Sequence, residues 1–151
     1  MPIMILRLFF IIQFFLLSCG YNTAHSADLY KVTLPDGSVI EAELAKDKAK
    51  GLQNREYLCP NCGMIFIFDK DGIYSFWMKD TLISLSLIWI DNEGNVVHIA
   101  RNAKPCKYEK DPYKECERYF PKDSSKYVLE ILPKIDKSIE VGSRLRIEQI
   151  R

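Results

Sequence analysis

Leu85-Ser86-Leu87-Ile88-Trp89-Ile90 carries no charge and only one polar side chain, a small hydroxyl. It is the second half of a longer apolar run, Leu82 to Asp91, that stops at the turn signal Asn92-Glu93-Gly94. A strand with one wet face would alternate polar with apolar residues. A continuous apolar stretch of this length, bounded by a turn, predicts a central strand buried on both faces.

Upstream of this strand, Ile73–Met78 and Met64–Phe68 read as two apolar strands around Asp69-Lys70-Asp71-Gly72. Further back, Leu29–Leu34 and Ser38–Leu44 flank Pro35-Asp36-Gly37, a hairpin signal in which Gly supplies the positive φ of the turn. Downstream, Asn95–Ala100 follows the turn, and Tyr127–Leu132 is closed by Pro133. Ser143–Ile150 sets Leu145 and Ile147 against Arg144, Arg146 and Glu148, giving one buried and one wet face. Ala45–Leu58 is rich in Lys, Ala, Gln and Glu. With Asp47 placed as an N-cap, it predicts one short helix, limited by Gly51. About eight short strands and one helix predict a mainly β fold: a single compact antiparallel domain, barrel-like or sandwich, over residues 29–151. The polar stretch Arg101–Ser125 is long for a loop and needs a staple or a function.

The N-terminal segment MPIMILRLFFIIQFFLLSCG has one cation, Arg7, before an apolar run from Leu8 to Leu17. That run is shorter than the roughly 20 residues a spanning helix needs, so residues 1–18 read as a signal peptide. Leu16-Leu17-Ser18-Cys19-Gly20 is similar to a bacterial lipobox, which predicts lipidation of Cys19 and a polar tether over 19–28. Cleavage within Ala24-His25-Ser26-Ala27 is the competing expectation, and an uncleaved anchor is a third. The expected location is extracytoplasmic, either bound to the membrane through Cys19 or secreted.

Composition narrows the function classes. Of 151 residues, 48% are hydrophobic and 27% charged, which excludes disorder. Lys and Arg number 21 against 20 Asp and Glu, and Arg7 lies in the leader, so the mature chain offers no electrostatic footprint for nucleic acid. His25 and His98 are the only histidines. No Ser-His-Asp ordering, phosphate-cradling loop or metal-binding helix motif is present, and no metal or other cofactor is expected.

Setting Cys19 aside, Cys59, Cys62, Cys106 and Cys116 remain. An even number in an exported domain predicts disulfides. Three connectivities are possible, and the local pairs Cys59–Cys62 and Cys106–Cys116 are preferred. Cys59-Pro60-Asn61-Cys62 also has the spacing of thiol–disulfide exchange motifs, but it runs into the strand at Gly63 instead of a helix that would activate a thiolate. A four-cysteine zinc site is the other alternative, although the second spacing is too long for a tight knuckle.

Several strings taken together resemble the domain of unknown function 192 family. They include Glu43-Leu44-Ala45, Gly51-Leu52 with Arg55, Gly63-Met64-Ile65-Phe66, Phe76-Trp77-Met78-Lys79 with Thr81, and Ile90-Asp91. Val96-Val97-His98-Ile99, Tyr127-Val128-Leu129-Glu130 and Gly142 continue the match, which spans roughly residues 29 to 148. The family usually has Met at Gln53, Asn at Asp80, Pro at Ser84 and Asp at Ser86, so this chain lacks a carboxylate at position 86. The resemblance implies a compact, mostly β fold and no established activity.

Arg55, Lys79, Asp80, Thr81 and Glu130 are the polar residues within these strings, and Trp77 is the adjacent aromatic. They are candidates for binding a small anionic or sugar-like ligand, with Arg55 and Lys79 as donors. The structural alternative is that they pair among themselves, for example Arg55 with Glu130. Phe66, Phe68, Tyr74, Phe76, Trp77 and Trp89 read mainly as core, with at most Trp77 or Tyr74 exposed. The expected function is an extracytoplasmic binding or accessory module. The alternative is a cell-envelope hydrolase or transferase using Glu130 or Asp80 as general acid/base.

Overall fold

The computed structural model describes residues 28–150. The leader over 1–18, lipidation of Cys19 and the tether up to residue 27 lie outside the described residues. The strands are β1 (Leu29–Thr33), β2 (Val39–Leu44), β3 (Cys62–Gly72), β4 (Phe76–Trp77), β5 (Leu85–Ile90), β6 (Val96–Ala103), β7 (Arg118–Tyr119), β8 (Ser125–Ile131) and β9 (Arg146–Gln149). Seven of them form one sheet in the order β6-β5-β8-β3-β2-β1-β9, while β4 and β7 make a separate two-stranded ribbon.

The uncharged run forms β5, and all six of its side chains are buried. It lies between β6 and β8. Burial of each large apolar side chain here contributes about 1.5–3 kcal/mol, which is why the strand specifies its own place in the sheet. Alternate residues feed two cores. Ile88, Ile90, Leu129 and Ile131 join Val32, Ile40 and Ile65 on one face. Leu85, Leu87, Trp89 and Val128 join Met64, Phe66 and Met78 on the other.

The domain is mainly β and compact, as expected, and three details of it differ. The sheet is not closed into a barrel, although backbone hydrogen bonds from Val96 N to Ser143 O and from Leu145 N to Gly94 O bring its ends together. It is not wholly antiparallel, because β2 and β3 pair in parallel. Of Ile73–Met78, only Phe76–Trp77 forms a strand.

The helix falls elsewhere than expected. Asp47 does accept hydrogen bonds from the backbone N–H groups of Ala49 and Lys50, but the segment proceeds as turns. Gly51, at φ +49°, departs from helical geometry one turn in. The α-helix is α1 (Pro112–Glu115), inside the long polar loop, capped by Asp111 and with Pro at its first position.

That loop has its staple. Cys59–Cys62 and Cys106–Cys116 are both disulfides, so none of the four cysteines is a zinc ligand or a free thiol. The Glu115 carboxylate also accepts the backbone N–H groups of Glu109, Lys110 and Asp111, which holds its pKa below the ordinary carboxylate value. The two bridges fit a non-reducing, extracytoplasmic environment. Among the described residues, no helix is long and apolar enough to cross a membrane.

Candidate functional site

Glu130 sits in the middle strand of three. Its register partners are Met64 on β3 and Leu87 on β5, so its side chain emerges from the same sheet face as the second core. The residue is 5% exposed, and its Oε2 has no hydrogen-bond partner. Burial alone pushes the carboxyl up from 4.5 to about 8, because the charged form has lost water and gained nothing in exchange. The group is therefore a neutral acid at pH 7.

This carboxyl forms part of the wall of a cleft of about 460 Å³. Three pieces of chain build the rest. The turn Lys48–Gln53 comes over Phe66, and Gly51 makes the close approach possible: a Cβ there would lie 3.0 Å from Phe66 Cζ and 3.9 Å from Glu130 Oε2. The segment Ile73–Trp77 supplies Tyr74 and Phe76, with Phe76 packed edge-on against both Phe66 and Trp89. The disulfide loop brings Tyr113 of α1 and Arg118 of β7.

Trp77 and Arg118 are register partners in the β4–β7 ribbon, and the Arg118 guanidinium lies 3.8 Å from the Trp77 ring centroid. Tyr113 tilts against the same indole at 5.1 Å. Among the described residues Arg118 makes no ion pair. Lys48, Lys50, Lys79 and Arg118 thus line a cleft in which Glu130 is the one carboxylate.

The predicted residues divide accordingly. Trp77, Lys79, Thr81 and Glu130 come together in the cleft. Thr81 is nearly buried there. Arg55 lies elsewhere, held by both oxygens of Glu43 at 2.6 and 3.3 Å, so the suggested Arg55–Glu130 pair does not form. Asp80 is also outside the lining. Its carboxylate binds Lys79 Nζ at 2.5 Å and accepts from the Tyr108 hydroxyl at 2.8 Å. Those two bonds hold Asp80 below its usual pKa and raise Lys79 and Tyr108 above theirs.

Of the six aromatics, Phe66 and Trp89 are fully buried, whereas Phe68, Tyr74, Phe76 and Trp77 are half-buried along the cleft. Arg118, Tyr113 and the turn lysines were not found by sequence reasoning. The one signal for Tyr113 and Arg118 was the length of the polar stretch Arg101–Ser125, and nothing singled out Lys48 and Lys50.

A second hollow, about 570 Å³, lies between the β1–β2 turn, Asn92–Gly94 and Arg144–Ile147. It is larger, but it has no buried ionisable group. Thr33 Oγ1, a buried hydroxyl without a partner, is its one unsatisfied polar atom. The Glu130 cleft is the better candidate because an orphaned carboxyl is far costlier than an orphaned hydroxyl.

No curated protein matches the chain. A protein of unknown function from Novosphingobium aromaticivorans DSM 12444 is similar at 29% identity and TM-score 0.66, over 78% of this chain and 83% of that one. A Sinorhizobium meliloti 1021 protein named "putative transcription regulator" is similar at 25% identity and TM-score 0.65, over 80% of this chain and 93% of that one. The family model of domain of unknown function 192 (DUF192), described as "Uncharacterized ACR", matches residues 31–147. That match spans most of the chain, which therefore belongs to the DUF192 family.

Proposed function

We propose that this chain is an extracytoplasmic binding module, exported by its N-terminal segment, held at the membrane by lipid on Cys19, and taking a small polar ligand in the cleft beside Glu130. The observation that carries this reading is the buried Oε2 of Glu130, unpartnered in a cleft lined by half-buried aromatics and by cations, among them Arg118 without an ion pair. A group this costly to bury persists when something outside the chain satisfies it. The volume, about 460 Å³, is in the range of small-molecule sites.

The anchoring rests on the lipobox-like Leu16-Leu17-Ser18-Cys19, and export is supported by the two disulfides. The regulator name belongs to the Sinorhizobium protein. The near balance of 21 Lys and Arg against 20 Asp and Glu speaks against nucleic acid as the ligand here. An acid–base hydrolase is less well supported, since Asp80 is tied to Lys79 and Tyr108 and leaves Glu130 without a second carboxylate in the cleft.

The test is a thermal-shift screen of small polar compounds on the exported protein, beside Glu130→Gln. Compounds that stabilise the wild type and not the variant support the reading. Stabilisation by no compound, or equal stabilisation of both proteins, sinks it. Incorporation of labelled palmitate that disappears in Cys19→Ala checks the anchor, and its absence from the wild type removes that part.

A further inference from the structure

We infer that the ligand of this cleft is a small zwitterion, whose primary ammonium meets the Glu130 carboxylate and whose anionic group meets the Arg118 guanidinium. The inference rests on the binding reading above and gives it a substrate class. Glu130 is buried and has a free oxygen, while Arg118 is half-exposed, stacked on Trp77 and without a carboxylate partner. The cleft thus holds an unpaired acid deep and an unpaired cation near solvent.

Ligands of other charge types use only part of this arrangement. A neutral sugar needs neither charge. A simple anion is met by Arg118 but brings no cation to the buried Glu130 oxygen. A simple cation satisfies Glu130 but has to pass Lys48, Lys50, Lys79 and Arg118. A molecule carrying both charges satisfies the two unpaired groups at once, and desolvation inside the cleft strengthens both contacts. Free amino acids, short peptides and phosphoethanolamine share this chemistry.

Proton balance gives the inference a signature. Burial keeps the empty Glu130 protonated at pH 7. When an ammonium arrives, the carboxyl gives its proton to solvent and the carboxylate–ammonium pair remains, so one proton leaves for each ligand bound. The titratable and charged groups facing Glu130 around the cleft are Lys48 and Lys50 of the turn, Tyr74, Lys79, Tyr113 and Arg118. The β3 and β5 neighbours of Glu130, Met64 and Leu87, contribute none.

The experiment is calorimetric titration of the mature protein in phosphate and in Tris at pH 7. The probes are L-phenylalanine, glycyl-L-phenylalanine and phosphoethanolamine. N-acetyl-L-phenylalanine and L-phenylalanine amide serve as single-charge controls, and D-glucose as the neutral one. At least one zwitterion binds with release of about one proton, and its affinity climbs by up to about tenfold per pH unit below pH 8. Its single-charge analogues bind at least about tenfold more weakly. Phosphoethanolamine against the two amino-acid probes separates a headgroup from an amino acid or peptide end.

Glu130→Gln, which keeps the shape and removes the charge, abolishes the proton release and lowers zwitterion affinity by about tenfold or more. Glucose or the N-acetylated acid binding as tightly as the zwitterions, without proton release, overturns this inference and leaves the binding reading standing. Silence from every zwitterion also overturns it, and the wider screen then decides the binding reading separately.

Discussion

Among the described residues two carboxylates are buried, and the sheet treats them in opposite ways. Asp136 is 4% exposed and fully engaged: it accepts from Ser86 Oγ at 2.6 Å and lies 3.1 Å from Arg101 Nη1. Arg101 also donates to the carbonyl oxygens of Asp136 and Ile139. Glu130, 5% exposed, has an oxygen with no partner. The two sites are one residue apart on β5, since Ser86 serves Asp136 while Leu87 is the register partner of Glu130. Successive residues of a strand point to opposite faces, so the same segment supports a closed polar network on one side and an open acid on the other. A satisfied buried charge stabilises the fold. An unsatisfied one strains it and is available to a ligand.

The largest test of this contrast uses pH. The Glu130 pKa is raised from 4.5 to about 8 in the folded protein, so the fold holds this proton more tightly than the unfolded chain does. Its contribution is therefore fully present below pH 4.5, is lost as pH rises to about 8, and is flat beyond. Urea unfolding of the ligand-free wild type is expected to lose on the order of 4 kcal/mol across that window relative to Glu130→Gln. Parallel pH profiles for the two proteins would contradict the assignment.

Asp136→Ala acts in the opposite sense. It strands Arg101 and Ser86, and a loss of about 3 kcal/mol is expected at pH 7, where Glu130→Gln is neutral or stabilising. Replacing Cys106 and Cys116 together by Ser is expected to cost about 2–3 kcal/mol by loop entropy. Hydrogen exchange should rise over the segment carrying Tyr113 and Arg118 and stay unchanged at Ser86 and Asp136. Smallest is Arg55→Ala, which removes a half-exposed pair with Glu43 and should cost no more than about 1 kcal/mol, with no change in binding at the cleft.

How far the sequence could be read follows from where each signal resides. β5 was legible as the second half of the run Leu82–Asp91 because a continuous apolar run has few other places to go, and the Pro35-Asp36-Gly37 hairpin because its turn chemistry is local. The even number of cysteines announced disulfides but left three connectivities open, and the preferred local pairing is the one that forms. The segment Ala45–Leu58 was misread: its composition favours a helix, yet the positive φ of Gly51 and close packing on Phe66 outweigh propensity. Half of the site was visible as polar residues interrupting apolar strings, with Glu130 the clearest. Arg55 misled because Glu43, on the preceding strand β2, takes it with both carboxylate oxygens and holds it outside the cleft. Arg118 and Tyr113 were hidden because a bridge and a two-residue ribbon place them, and neither feature leaves a periodic trace.

The pairing of β1 with β9 sets the order in which the chain can close. Tyr30 lies opposite Gln149, and the Ile150 N–H reaches the Leu29 carbonyl oxygen at 2.9 Å, so the two ends of the described chain are sewn together. This contact spans nearly the whole domain, and its loop-closure entropy is recovered only after the intervening strands are in place. The outer edge is therefore expected to be the last part of the sheet to assemble, and a chain emerging N-terminus first has β1 paired on β2 alone until Arg146–Gln149 arrive.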